Sequence, residues 1–172
     1  LTVPTEGWTW DEVRADAAKI TEVGAGKSYG FGLSLKSLWT LSSYLTMPCG
    51  TNAGHYGYDW NNATFDFSAL EPMVTAVYNI CQDGSVFPGY EGLDGDGVRA
   101  QFAEGRIGIM GAASFDAAVY NEQFPAKCNW VVVPEPSYTA EGSPYKEFVQ
   151  PTQLLVMGKK ALEHPEKALT VY

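Results

Sequence analysis

Phe102-Ala103-Glu104-Gly105-Arg106-Ile107-Gly108-Ile109-Met110, running on into Gly111-Ala112-Ala113-Ser114-Phe115, sets a helix end, a strand and a new helix start side by side. A short helix is expected from Asp96 to Glu104, with Gly105 free to take the left-handed conformation that ends it. Arg106 to Met110 then reads as a strand, apolar and bounded by glycines. Ser114 is expected to cap the next helix, which continues to about Gln123. Helix, strand and helix in such close order belong to an α/β fold.

The same alternation extends upstream. Thr9 and Glu12 form a capping box, and Trp8 and Val13 stand where a hydrophobic staple would, so a first helix is expected from about Trp10. Trp10, Val13, Ala17 and Ile20 repeat at helical spacing, and Gly24-Ala25-Gly26 ends the run. Ser28 to Leu33 reads as a buried strand in which Gly30 and Gly32 permit close backbone approach. A helix is expected from about Ser37 to Met47, stopped by Pro48 and Gly50. Asn52 to Asp66 is polar and rich in Gly, Asn and Tyr, the mark of a surface loop or short hairpin.

Ser68 and Glu71 offer a second capping box, with Leu70, Met73, Val74, Val77, Ile80 and Cys81 on one helical face and Gly84 as the stop. Pro72 has no N–H to bond, which pushes the start toward Glu71. After Pro125 a strand is expected at Trp130 to Val133, another at Gln153 to Met157, and a helix opening at Pro165. The whole predicts an α/β domain over residues 1–172: a mostly parallel sheet flanked by helices.

Composition narrows the function. The 172 residues carry 45% apolar side chains, enough for a real core, and a formal net charge of -9 from eleven basic and twenty acidic residues. So few scattered cations make no phosphate-tracking surface, so nucleic acid is not an expected partner. No apolar run approaches the roughly 18 residues of a spanning helix, and Leu1 to Trp10 has neither the basic start nor the apolar centre of a signal peptide. The chain opens in mid-phrase and stops at Ala168-Leu169-Thr170-Val171-Tyr172 inside an apparent helix, so a piece of a longer protein is expected.

Several catalytic or cofactor motifs fail on spacing. Gly24-Ala25-Gly26-Lys27-Ser28 resembles the tail of a phosphate-binding loop, but Thr21 stands where its leading glycine belongs, and the order is helix then strand. Gly92, Gly95 and Gly97 do not have dinucleotide-fingerprint spacing. Asp94-Gly95-Asp96-Gly97 starts like a calcium loop, yet Val98 falls on a ligand position, and turn chemistry explains it better. Cys49, Cys81 and Cys128 lack metal-type spacing; they fit three small buried residues, or one disulfide and one free thiol. His55 and His164 have no Ser or Cys partner, and no carboxylate pair stands out for glycosidase chemistry. No cofactor, metal or catalytic centre is expected.

Trp39 and Phe115 are the informative pair. Each lies just past a predicted strand where a helix begins, and ligands of open α/β sheets are met at such carboxyl-end loops. Trp39 suits equally a place in its helix core beside Leu35, Leu38, Ser42 and Leu45, and Phe115 a contact with Val119. A pyranose, with its apolar C–H face and its hydroxyls, is a natural guest for stacked rings with polar neighbours.

The order of Trp8-Thr9-Trp10-Asp11-Glu12-Val13, Lys27-Ser28-Tyr29-Gly30, Phe102 to Met110, Val132-Val133-Pro134 and His164-Pro165-Glu166-Lys167-Ala168 resembles the extracellular solute-binding proteins of bacterial ABC importers, the family with maltose- and oligosaccharide-binding members. The resemblance covers nearly the whole chain. It implies one lobe of a type II periplasmic-binding-protein fold, the C-terminal one, with residues from about 150 to 172 returning toward an N-terminal lobe. It further implies a ligand held between lobes, an ABC permease as membrane partner, and a periplasmic or lipid-anchored extracellular location.

In sugar-binding relatives, aromatic residues stand at the positions of Trp39 and Phe115, the second usually as Trp. Phe there shrinks the stacking face and removes the indole donor. Ser37, Ser114 and Asp116 beside the rings, with Gln150 and Thr152 near the expected hinge, are the polar candidates for ligand contact. Ser34 and Lys36 follow them. A glycoside-hydrolase-like enzyme and a cell-surface interaction module are the alternative readings.

Overall fold

The computed structural model describes residues 2–5, 7–36, 58–59, 61–65, 68, 71–134, 136, 163–164 and 166–167. Helix α1 spans Trp10–Gly24, and its start is the expected capping box. The Thr9 hydroxyl accepts from the Glu12 N–H at 3.3 Å while the Glu12 carboxylate accepts from the Thr9 N–H at 2.7 Å. Two otherwise unpaired donors of the first turn are thereby satisfied. At the other end Ala25 adopts a left-handed conformation, φ 47°, and its N–H closes on Thr21 and Glu22 carbonyls.

Strand β1, Tyr29–Gly32, lies directly against this helix. A Cβ at Gly30 would stand 2.0 Å from the Ala17 carbonyl oxygen and 2.2 Å from its Cα, so only glycine lets α1 and β1 approach this closely. Thr21 fastens the contact: its hydroxyl donates to the Ala17 carbonyl at 2.9 Å and accepts from the Gly30 N–H at 2.8 Å.

Strands β2, Tyr58–Asp59, and β3, Thr64–Phe65, pair antiparallel as the short hairpin that the Gly- and Asn-rich stretch suggested. Helix α2 covers Glu71–Gln82, starting at Glu71 as Pro72 demands. Among its described side chains Ile80 is buried, Ala76, Val77 and Cys81 pack against the same core, and Val74 is exposed.

Helix α3, Gly95–Ala103, begins one residue before the expected start, because Asp94 caps it by accepting the Gly97 N–H at 2.8 Å. The acidic stretch is thus a helix start, in line with turn chemistry. Strand β4, Ile107–Met110, pairs parallel with β1, Tyr29 opposite Ile107 and Gly32 opposite Met110. On the other side of β1, Phe31 forms a parallel bridge with Val86: its N–H donates to Ser85 and its carbonyl accepts from Phe87, both at 2.9 Å. The sequence pattern had not marked Ser85-Val86-Phe87 as extended.

One apolar cluster joins Trp8, Trp10, Val13, Ala17, Phe31, Leu33, Ile80 and Val86, tying α1, α2 and β1 together. A second joins Phe87, Val98 and Ile107, between α3 and β4. The result is an α/β layer with a small parallel sheet.

Two expectations need correction. Ser114 does not cap the helix after β4: helix α4, Asp116–Ala118, has Phe115 at its N-cap with no side-chain cap bond, and a π-helical turn over Val119–Gln123 continues it. The Asp116 carboxylate, the stronger acceptor, takes the Ala113 N–H of this loop instead. Nor does Trp130 to Val133 form a strand. It is held from outside any sheet ladder, with the Trp8 indole donating to the Pro134 carbonyl at 2.6 Å and the Tyr120 and Trp130 rings edge to face at 5.7 Å. The helix expected at Pro165 is described only at Glu166 and Lys167, which are helical, and the expected elements at Ser37 to Met47 and Gln153 to Met157 lie outside the described residues.

Candidate functional site

The carboxyl ends of β1 and β4 come together where a doubly wound sheet receives its ligand. Gly32 at the end of β1 with Ser34 just beyond, Met110 at the end of β4 with Gly111 just beyond, and Gly95, Val98 and Arg99 of α3 line a cavity of ≈ 30 Å³, room for a water molecule. Gly32 keeps this floor tight, since a Cβ there would meet Ile107 at 2.9 Å and Val98 at 3.0 Å. Beyond β1 the chain is pinned to the loop before α3. The Ser34 hydroxyl donates to the Leu93 carbonyl at 2.7 Å, and the Leu35 N–H to the Tyr90 carbonyl at 3.3 Å.

Arg99 is the centre of the electrostatics. Its Nε donates to Asp116 Oδ1 at 2.7 Å and its Nη1 to Asp96 Oδ1 at 3.1 Å. Partial burial works against its charge, but the hydrogen bonds and the attraction of the two carboxylates outweigh that and hold the guanidinium above its ordinary pKa. The second Asp116 oxygen accepts the Ala113 N–H at 2.8 Å, so one buried carboxylate joins α3, the loop after β4 and the start of α4. Arg99 also lies over the Phe115 ring, its Cζ 5.4 Å from the centroid.

Phe115 nevertheless remains 56% exposed, a large apolar face offered to solvent beside a charged anchor. Behind it, Tyr120 packs against Phe102 and Trp130 and directs its hydroxyl to Met110 Sδ at 3.0 Å. Burial, and then the Asp116 charge, push the Tyr120 phenol up to about 12, with Arg99 opposing.

The expected site residues thus fall into four groups. Phe115 and Ser114 are exposed, and the Phe115 ring lies under Arg99, which lines the cavity. Asp116 is 3% exposed and both its oxygens are engaged, so it is a brace for Arg99 and the loop. Ser34 is buried in its bond to Leu93, and Lys36 is exposed. Ser37, Trp39, Gln150 and Thr152 lie outside the described residues. Arg99 escaped the sequence reading. Its i,i+3 pairing with Asp96 was visible in principle, but the partner that matters is 17 residues away.

A larger open groove of ≈ 700 Å³ runs between Thr2–Thr5 and the solvent face of α1 at Glu12, Asp16 and Lys19, and none of the expected site residues lines it. Among the described residues, no group of three or more His, Cys, Asp or Glu side chains is placed to hold a metal ion. Among the same residues Cys81 and Cys128 are free thiols, and Cys49 lies outside them. No described helix is long and apolar enough to cross a membrane.

The family model described as bacterial extracellular solute-binding protein matches residues 1–150. Proteins named as binding proteins in Brucella abortus strain 2308, Brucella abortus biovar 1 and Brucella suis biovar 1 are each 32% identical over 116 residues. The match takes in 67% of this chain and 28% of each relative, so the chain corresponds to part of the length of these relatives. No solved structure matches it.

Proposed function

The chain belongs to the bacterial extracellular solute-binding protein family, and from that membership we propose that it is the C-terminal lobe of a receptor that captures a small molecule outside the cytoplasmic membrane for an ABC importer. The ligand is a sugar or oligosaccharide. The observation that carries this reading is the exposed Phe115 ring beside Arg99, which lines the cavity at the carboxyl ends of β1 and β4. A ring so placed offers an apolar wall to the C–H face of a pyranose. Ser114 next to it supplies a hydroxyl that donates and accepts, and Trp39, Ser37, Gln150 and Thr152 are the further ligand contacts of this proposal.

The role is binding and not turnover. Release to a permease calls for reversible capture, which two lobes closing about a hinge provide. The test is a thermal-shift screen of the intact protein against neutral sugars and oligosaccharides, followed by a turnover assay with chromogenic glycosides. A sugar that raises the melting point without being cleaved supports the proposal, because a ligand specific to the folded form stabilises it by mass action. Cleavage of the glycoside contradicts it in favour of a hydrolase-like enzyme, and no thermal response to any sugar contradicts the carbohydrate ligand.

A further inference from the structure

Two arginines of this protein use their guanidinium groups differently. Arg14 closes both Nε and Nη2 on the two oxygens of Asp83, the two-bond fork that ties an arginine to a carboxylate. Arg99 gives Asp116 a single bond, from Nε at 2.7 Å, because the second Asp116 oxygen is taken by the Ala113 N–H at 2.8 Å. Its Nη1 donates to Asp96 at 3.1 Å, and Nη2, with two N–H groups, meets no acceptor among the described residues. Nor is that nitrogen sealed inside the protein: the Arg99 side chain keeps 22% of its surface, and Nη2 is not among the buried unpartnered atoms.

The spare donor belongs to the residue that joins the two parts of the candidate site. Arg99 lines the ≈ 30 Å³ cavity, a space for one oxygen-sized group, and its Cζ lies 5.4 Å from the centroid of the exposed Phe115 ring. A guest seated on that ring brings an edge to the guanidinium.

We propose that Arg99 is a ligand-contact residue of this site, donating from Nη2 to a hydroxyl or ring oxygen of a neutral sugar whose C–H face rests on Phe115. The proposal rests on the carbohydrate reading above and deepens it by naming the polar group that works with the ring. Asp116, 3% exposed and fixed by the Ala113 N–H, holds the guanidinium in place before the guest arrives, which spares part of the ordering cost of binding. A donor on a charged group also makes a stronger hydrogen bond than a neutral one. Lysine is no equivalent, since it is a point charge without the planar fork that lets arginine serve Asp116 and a guest together.

The intact protein carrying ¹⁵N-labelled arginine is titrated separately with glucose, galactose, maltose, cellobiose and inorganic phosphate. The Arg99 Nη resonances, their proton exchange with water and the melting point are read on the same samples, and Arg99→Lys assigns the signals by their loss. A sugar that raises the melting point is expected to shift the Nη signals saturably and to slow their exchange with water, which a ring-current change alone would not do. The same sugar is expected to bind Arg99→Lys about tenfold more weakly, the size of one charge-assisted hydrogen bond.

A sugar that stabilises the wild type while Nη shift and exchange stay unmoved overturns the proposal and leaves the carbohydrate reading standing. No thermal response to any of these sugars overturns both. Saturation by phosphate without a response to sugar overturns the proposal in favour of an anion site. Because the resonance and its exchange are read on the wild type, the test holds even where Arg99→Lys fails to fold.

Discussion

At the amino ends of β1 and β4 the packing leaves no room, whereas at their carboxyl ends it leaves a cavity, an exposed ring and a buried ion pair. The α1 backbone sits on Gly30 with no space for a methyl group, and Thr21 stitches helix to strand by hydrogen bonds to both. A few residues further on, Phe115 stands in solvent while Arg99 and Asp116, locked together, hold the loop behind it. One end is built from close approach, and the other from polar braces under an open surface. Stability concentrates at the first, and the proposed recognition lies at the second, so substitutions at the two ends should have opposite signatures.

The largest effect belongs to the closed end. Gly30→Ala forces a methyl group into the Ala17 backbone, which cannot give way as a side chain would. Overpacking against backbone is expected to cost about 3 kcal/mol or more. Urea unfolding of the intact protein should show the midpoint fall accordingly, and a loss below about 1 kcal/mol would mean that α1 slides easily on β1.

Asp116→Ala comes next, at the open end. It leaves Arg99 half buried without its shortest partner and frees the Ala113 N–H. About 2 kcal/mol of stability should be lost, the range for a hydrogen bond to a charged group plus an unmet donor. Crystal structures or ring-proton spectra of the variant should show Phe115 released from its fixed position. A Phe115 that stays ordered would mean the brace is not what sets the ring.

Alkaline titration sharpens the comparison further. The folded state holds the Tyr120 phenol up to about 12, above the ordinary value near 10, so it binds a proton that the unfolded chain releases first. The associated stability is full below pH ~10 and drains away as the pH climbs toward ~12, by an amount on the order of 1–2 kcal/mol. Tyr120→Phe should flatten this part of the stability profile, read as unfolding midpoints across that window. An unchanged slope would place the buried titration elsewhere.

How much of this was legible in the chain depends on how local the chemistry is. Thr9 and Glu12 announce α1 because donor and acceptor lie three residues apart, and Pro72 fixes the start of α2 through the bond it cannot make. The two short apolar strands set among helices announced β1 and β4, while which strand pairs with which is seen only in the fold. Ser85-Val86-Phe87 went unread because a bridge of this length has no period to detect; its hydrogen bonds to Phe31 exist only once the chain has folded. Trp130 to Val133 shows the converse, a run of strand-favouring residues that has no ladder partner among the described residues and is held by Trp8 and Tyr120 instead.

The place of Phe115 just after a strand was legible. Its support was not, since Arg99 and Asp116 meet through the fold and Ser114 seemed the better cap by residue type alone.

The smallest effect on stability is expected at Phe115, where the proposed ligand wall is probed by a single substitution. The measurement is calorimetric affinity of intact wild-type and Phe115→Ala protein for a sugar that stabilises the wild type, with unfolding midpoints taken on the same samples. The midpoint is expected within about 0.5 kcal/mol of wild type, because the ring is largely exposed, and the affinity lower by about 3–10-fold from the lost stacking face. Equal affinity in the two proteins would contradict this expectation and remove Phe115 from the ligand wall.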